Sequence, residues 1–352
     1  MKMPLYYMLR MYVWCALRVY FTKIIVNGSS HIPSKGAVLF LANHQNALLD
    51  ALVFAVTAPR YSHFIARADA FRNGLVARLL SLINMKPVYR MRDGITSISN
   101  NRGTFTWARN LLLRNECLLF FPEGNHSLLR RVRPLSKGFT RIIDETLKNN
   151  PSVGLQVVPI GINYTDHTGF RGSVSIYYGQ PVDVLRFKDN LPALRDLMEE
   201  RIKQLTNHVE DETTYHEVIS KLEESDPNYL DPVETNRRIK LIEAGEQLSV
   251  PAHNRKSANS LLRLLLYPVY ALCGLVNALP LICWRLVLKK IRDPVFIGTF
   301  RFAIGITLVP MWYAGIVVLT GHFLHVLAAL VVLLLCLVSL PLRHALSHHT
   351  AR

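Results

Sequence analysis

Three runs toward the C-terminal end of the chain, residues 264–284, 302–320 and 322–342, contain no Asp, Glu, Lys or Arg. About twenty predominantly apolar residues at helical rise match the hydrocarbon thickness of a bilayer. The second and third runs therefore predict a transmembrane helical hairpin broken near Gly321. Arg301 and Arg343 flank its open ends, which places those ends on the cytoplasmic side by the positive-inside rule. The first run carries Pro268, Asn277 and Pro280 and is basic on both flanks, so it predicts an in-plane or re-entrant segment as readily as a span. Residues before about 260 mix apolar runs with charges and predict a globular part.

The formal net charge of +16 asks for an anionic partner. With an apolar C-terminal region, membrane lipid headgroups fit that demand. Nucleic acid is not expected, because no zinc-ligand spacing, RNP-type aromatic motif or base-reading basic helix is found. Cys15, Cys117, Cys273, Cys283 and Cys336 are scattered and odd in number, which suits reduced thiols. Residues 1–26 are apolar and aromatic but interrupted by Arg10, Arg18 and Lys23. That pattern predicts an interfacial helix with snorkelling basic side chains rather than a signal peptide.

Between these flanks, short branched or aromatic runs alternate with helical patterns. The alternation predicts an α/β fold, a largely parallel sheet flanked by helices, followed by the C-terminal transmembrane helices. Strands are predicted at 37–42, 62–66, 86–90, 117–121, 155–162 and 174–178, and helices at 47–56, 94–113 and 137–147. Residues 27–185 make the catalytic domain in this reading, 186–259 a polar helical extension, and 260–345 the membrane region.

Polar residues at strand ends are where open α/β sheets place their ligands. Asn43, His44, Gln45 and Asn46 follow the first of these strands, with Asp50 close behind. Histidine is the side chain best matched to taking a hydroxyl proton near neutral pH, and a carboxylate beside it fixes its tautomer. On one continuous helix, positions 44 and 50 lie roughly 120° apart, so they meet only if His44 sits in the loop before the helix. Spacing alone leaves open a loop histidine beside a solvent-facing aspartate. A second cluster, Phe121-Pro122-Glu123-Gly124-Asn125-His126-Ser127, follows the strand at 117–121, where a Pro-Gly turn positions Glu123 to hydrogen-bond a substrate hydroxyl.

Asn43-His44 with Asp50, Phe121-Pro122-Glu123-Gly124 and then Val158-Pro159-Ile160 together resemble the glycerolipid acyltransferase family, the PlsC-type lysophosphatidic acid and glycerol-3-phosphate acyltransferases. The likeness covers about residues 25–185. It implies His44 as general base, Asp50 as its orienting partner, and Glu123 and Gly124 in acceptor binding, with Asn43 and His126 beside them. By the same resemblance Arg90 is a phosphate contact and Lys137 a weaker one; a guanidinium suits phosphate because its donors fork toward two oxygens. Two positions depart from the family pattern. Five residues separate His44 from Asp50 where four are usual, and Asn125-His126 replaces a Thr-Arg pair whose arginine binds phosphate, leaving Arg130, Arg131 or Arg133 to supply that charge or to face headgroups.

The expected reaction is direct acyl transfer from acyl-CoA or acyl carrier protein to a glycerol-phosphate-type acceptor in phospholipid biosynthesis, with backbone amides near the motif stabilising the oxyanion. A thioester is already activated, so no cofactor or metal is expected, and no Gly-x-Ser-x-Gly elbow points to a serine hydrolase. The alternatives are an acyltransferase acting on a non-phosphorylated lipid and a non-catalytic lipid-binding or scaffolding protein on the same fold. The protein is expected to be integral to the membrane, with its catalytic domain on the cytoplasmic face.

Overall fold

In the computed structural model, the alternation of branched runs and helical patterns is realised as a sheet with helices on both faces. Residues 2–71, 74, 77, 78, 80, 84–88, 101–246, 248 and 260–350 are described. They fall into two units: residues up to 12, 23–165 and 173–250 in the first, and 13–22, 166–172 and those beyond 250 in the second. Helix α1 (Lys2–Tyr20) contributes to both.

The first unit is built on β1 (Lys23–Asn27), β2 (Val38–Ala42), β3 (Ser62–Arg67), β4 (Met85–Val88), β5 (Cys117–Phe120), β6 (Gln156–Tyr164), β7 (Ser173–Tyr178) and β8 (Val182–Asp183). Their order is β1-β7-β6-β2-β5-β3-β4, with β8 also on β6. Pairing is parallel except where β6 meets β7 and β8. The largely parallel sheet expected from the sequence is thus present, with an antiparallel turn-back at one side. Strands β1 and β8 were not foreseen: β1, KIIVN, shares a segment with the basic N-terminal pattern, and β8 is two residues long, too short for alternation to register. Residues 89 and 90 of the strand predicted at 86–90, and 94–100 of the helix predicted at 94–113, lie outside the described residues.

Strand β2, at the centre of the order, is buried at all five positions, the mark of a strand covered on both faces. Its alternate residues part to opposite sides. On one side Phe40 meets Phe54 of α2 (Ala47–Thr57) edge-on at 5.0 Å. On the other, Leu39 and Leu41 join a core with α3 (Asn101–Leu113), α4 (Gly138–Asn149) and α5 (Leu191–Leu205). Helix α4 buries Phe139, Ile142, Ile143 and Thr146, the i, i+3, i+4, i+7 stripe that fixes a helix against a sheet. Each such apolar side chain contributes roughly 1.5–3 kcal/mol on burial.

The charged 186–259 stretch is more than a solvated extension. Leu194, Met198 and Ile202 of α5 are buried in the main core. Helices α6 (Tyr215–Glu224) and α7 (Pro232–Glu243) close a second cluster around Leu222 and Ile239. The charges lie on the outer faces, and the apolar positions four residues apart set the inner ones.

In the second unit, α8 (Ser260–Val276) and α9 (Ala278–Leu288) meet at a 77° bend, while α10 (Phe296–Phe323) and α11 (Val326–Thr350) are long and apolar enough to cross a membrane. Helix α10 runs through Gly321 rather than ending there. A Cβ at that glycine would lie 3.5 Å from Ala329 of α11, an ordinary contact, so α10 and α11 pack side by side here without requiring a glycine. At the bend, Asn277 donates to Ser339 Oγ at 2.7 Å and accepts from the Tyr313 hydroxyl at 2.6 Å. The Trp312 indole donates to the Val276 carbonyl at 2.8 Å. A helix break in an apolar setting leaves backbone groups that need such partners.

Candidate active site

The end of β2 is pinned by a side chain. Beyond the Ala42–Ile160 pair, Asn43 Oδ1 accepts the Ile162 N–H at 2.7 Å and its Nδ2 donates to the Ile162 carbonyl at 3.0 Å. The amide thus adds one more rung to the β2–β6 ladder. Its hydrogen bonds go to the backbone rather than to an open site, so Asn43 fixes where the next residue begins.

That residue is His44, and it lies in the loop before α2. Asp50 stands in the first turn of α2, where the helix N-terminus favours a carboxylate. Its Oδ2 accepts the Gln45 N–H at 2.9 Å and the Asn46 N–H at 2.8 Å, and lies 2.9 Å from His44 Nδ1. Its Oδ1 accepts the Tyr164 hydroxyl at 2.7 Å. The Asp50 side chain is 0% exposed. An ionised carboxylate only accepts, so Nδ1 carries the proton and Nε2 presents its lone pair. No hydrogen bond among the described residues engages Nε2.

The loop between His44 and Asp50 turns sharply at one residue. Ala47, the first residue of α2, has φ +41°, a left-handed conformation that L-residues other than glycine seldom take. The turn lets the loop fold back so that a carboxylate at the fourth helical position reaches the two amides before the helix.

The second loop holds the histidine from outside. Gly124 N–H donates to the Phe121 carbonyl at 3.2 Å, closing a turn with Pro122 and Glu123 at its centre. Gly124 has φ +68°, which explains the glycine; its N–H is consumed by the turn. Glu123 Oε1 accepts the His44 backbone N–H at 3.1 Å, and the His44 carbonyl accepts the Ser127 N–H at 3.1 Å. The Phe121 ring stacks on the imidazole at 4.1 Å and 17°. The buried His126 meets it edge-on at 5.6 Å.

Glu123 Oε2 accepts from Arg133 Nε at 2.9 Å, and the glutamate side chain is 2% exposed. Burial pushes its carboxyl above the ordinary value, with the Arg133 guanidinium opposing the shift. Arg133 also donates to the Asn125 carbonyl and is partly exposed.

The other two arginines of that loop are committed elsewhere. Buried Arg130 donates to the Tyr164 and Thr165 carbonyls at 2.7 and 3.1 Å and lies 3.4 Å over the Tyr229 ring. Arg131 pairs with Glu212 at 2.9 Å.

Of the sequence-predicted residues, His44, Asp50, Glu123, Gly124, His126 and Asn43 come together around the two loops. Lys137 is exposed at the start of α4. The glycine after it is a packing requirement, since a Cβ on Gly138 would come within 2.9 Å of the Phe120 ring. Arg90 lies outside the described residues. Tyr164 and the stacking role of Phe121 were not read from sequence. The one available signal was Tyr164 as a polar-tipped aromatic at the C-terminal end of β6.

Residues 23–163 match the family model described as "Acyltransferase". The chain is 25% identical over 190 residues, 53% of its length and 51% of the relative's, to the chloroplastic 1-acyl-sn-glycerol-3-phosphate acyltransferase of Brassica napus. It is 26% identical over 144 residues, 40% and 18%, to glycerol-3-phosphate O-acyltransferase 1 of Saccharomyces cerevisiae. It thus spans about half or less of these curated relatives. Among solved structures, the 1-acyl-sn-glycerophosphate acyltransferase PlsC of Thermotoga maritima aligns with TM-score 0.45 and 21% identity over 57% of this chain and 78% of that one. The segment that carries both loops, residues 23–163, is the part of the chain that matches the acyltransferase family model.

Proposed function

We propose that this chain transfers a fatty acyl group from a thioester, acyl-CoA or acyl carrier protein, to a hydroxyl of lysophosphatidic acid or glycerol-3-phosphate in phospholipid synthesis. The observation that carries the reading is the His44–Asp50 contact at 2.9 Å, with Nδ1 committed to the carboxylate and Nε2 left to act. The names of the two relatives, both acyltransferases of glycerol phosphates, support the acceptor class.

In the reaction, Nε2 takes the acceptor hydroxyl proton as the oxygen attacks the thioester carbonyl. Asp50 stabilises the imidazolium. Collapse of the tetrahedral intermediate breaks the C–S bond, and the departing thiolate takes the proton back from Nε2, so an ester and a thiol result with no acyl-enzyme. No cofactor enters. Glu123 holds the His44 backbone and orients Arg133, whose remaining N–H groups meet the acceptor phosphate; Lys137 and Arg90 are further contacts for it. Helices α10 and α11 span the bilayer with their open ends on the cytoplasmic side, and the exposed Tyr7, Met8, Met11 and Trp14 of α1 lie in the interface.

The test is transfer from radiolabelled acyl-CoA and acyl carrier protein to a panel of acceptors by the purified chain in nanodiscs. Product with phosphorylated glycerols is expected. Product only with a non-phosphorylated alcohol would remove the phosphate assignment, and no product with any pair would remove the enzyme.

A further inference from the structure

The corner between α9 and α10 holds a groove of about 410 Å³, lined by Val287, Ile291, Phe296 and Phe300 together with Lys290, Arg292 and Asp293. None of this belongs to the catalytic loops. We infer that this groove binds an anionic phospholipid, one acyl chain lying against the apolar residues and the phosphate meeting Lys290 and Arg292.

Three observations converge on that occupant. First, the charge is predominantly positive. Arg285, Lys289, Lys290 and Arg292 are all exposed, and no salt bridge among the described residues engages any of them. Asp293, the one acid in the lining among the described residues, accepts the Val295 N–H at 3.1 Å at the start of α10.

Second, the lining is amphipathic in the sense a lipid requires. Apolar side chains are contiguous with lysine and arginine stems whose charged ends reach water. Third, the level is right. Helix α10, long enough to cross a bilayer, begins at Phe296 inside the groove. One turn later Arg301 lies 4.6 Å over the Trp284 ring, an aromatic and a cation of the kind that mark the headgroup layer. A phosphate and its glycerol reside at that depth, and juxtamembrane cations favour anionic lipids there.

The experiment uses the full chain in mild detergent, titrated with phosphatidylglycerol or phosphatidylcholine, with retained lipid counted by native mass spectrometry. Retention of phosphatidylglycerol is expected to exceed that of phosphatidylcholine by roughly tenfold or more. The double variant Lys290→Gln, Arg292→Gln should lose the preference, and Ile291→Trp, which fills the groove without changing charge, should lower retention of both lipids. Equal retention of the two lipids by wild type, or undiminished phosphatidylglycerol retention by both variants, overturns the site. Displacement by inorganic phosphate as readily as by phosphatidylglycerol identifies a free-phosphate site and overturns the lipid assignment.

Discussion

Tyr164 donates its hydroxyl to Asp50 Oδ1 at 2.7 Å, leaving Oδ2 for His44 and the two loop amides. The last residue of β6 therefore sets the rotation of the carboxylate that orients the imidazole. Tyr164→Phe removes a donor from a fully buried acceptor, a loss of roughly 1–3 kcal/mol of stability. Turnover should fall about tenfold as Asp50 loses its fixed orientation. Urea midpoint and kcat measured together check this, and an unchanged kcat would detach Tyr164 from the site.

Ala47, between His44 and Asp50, has φ +41°. A left-handed conformation costs an L-residue roughly 1–2 kcal/mol, part of which glycine returns in chain entropy. Ala47→Gly should be neutral or gain up to about 1 kcal/mol, and Ala47→Val should lose about 2 kcal/mol or more because β-branching is worst there. Denaturant unfolding of the two variants gives the comparison. The same order in reverse would contradict the loop geometry.

Burial raises the Glu123 carboxyl above its ordinary 4.5, and Arg133 opposes the rise. The sign follows from linkage: stability from this group is complete below 4.5 and is lost as pH rises through the raised value. The stability difference between wild type and Glu123→Gln should therefore shift against wild type across that window. In Arg133→Gln the opposing cation is gone, so the loss should extend to higher pH and be larger. Unfolding midpoints between acid and neutral pH measure both, and a pH-independent difference would sink the assignment.

Asn277 ties the α8–α9 bend to α10 and α11 through Tyr313 and Ser339. Asn277→Leu leaves the tyrosine hydroxyl without its 2.6 Å acceptor. Roughly 0.6–2 kcal/mol should be lost from the membrane region, read as a lower midpoint in graded sodium dodecyl sulfate unfolding. No shift would mean that the bend is held by packing alone.

Much of this was legible in the chain. Hydrophobic alternation located β2, β3, β5, β6 and β7, because a strand buried on both faces or alternating in and out leaves a direct trace. The angle between positions 44 and 50 said only that the two meet if His44 lies in the loop before α2; spacing left open whether they do, and the resemblance implied it. Strand β1 was missed because its five residues share a segment with the basic N-terminal pattern. The partnership of Tyr164 with Asp50 spans 114 residues, and Arg133 reaches Glu123 through a turn whose path no local spacing encodes. Likewise Leu194, Met198 and Ile202 sit among charges that hid an inner face, although their spacing of four announced one.

The most direct test of the central claim is kcat for His44→Ala beside wild type, with acyl-CoA and a phosphorylated glycerol acceptor, on protein whose unfolding midpoint is unchanged. Loss of the general base should lower kcat by roughly 10²–10⁴ with the acceptor KM little altered. A variant that keeps wild-type turnover would contradict the assignment of His44 as the base.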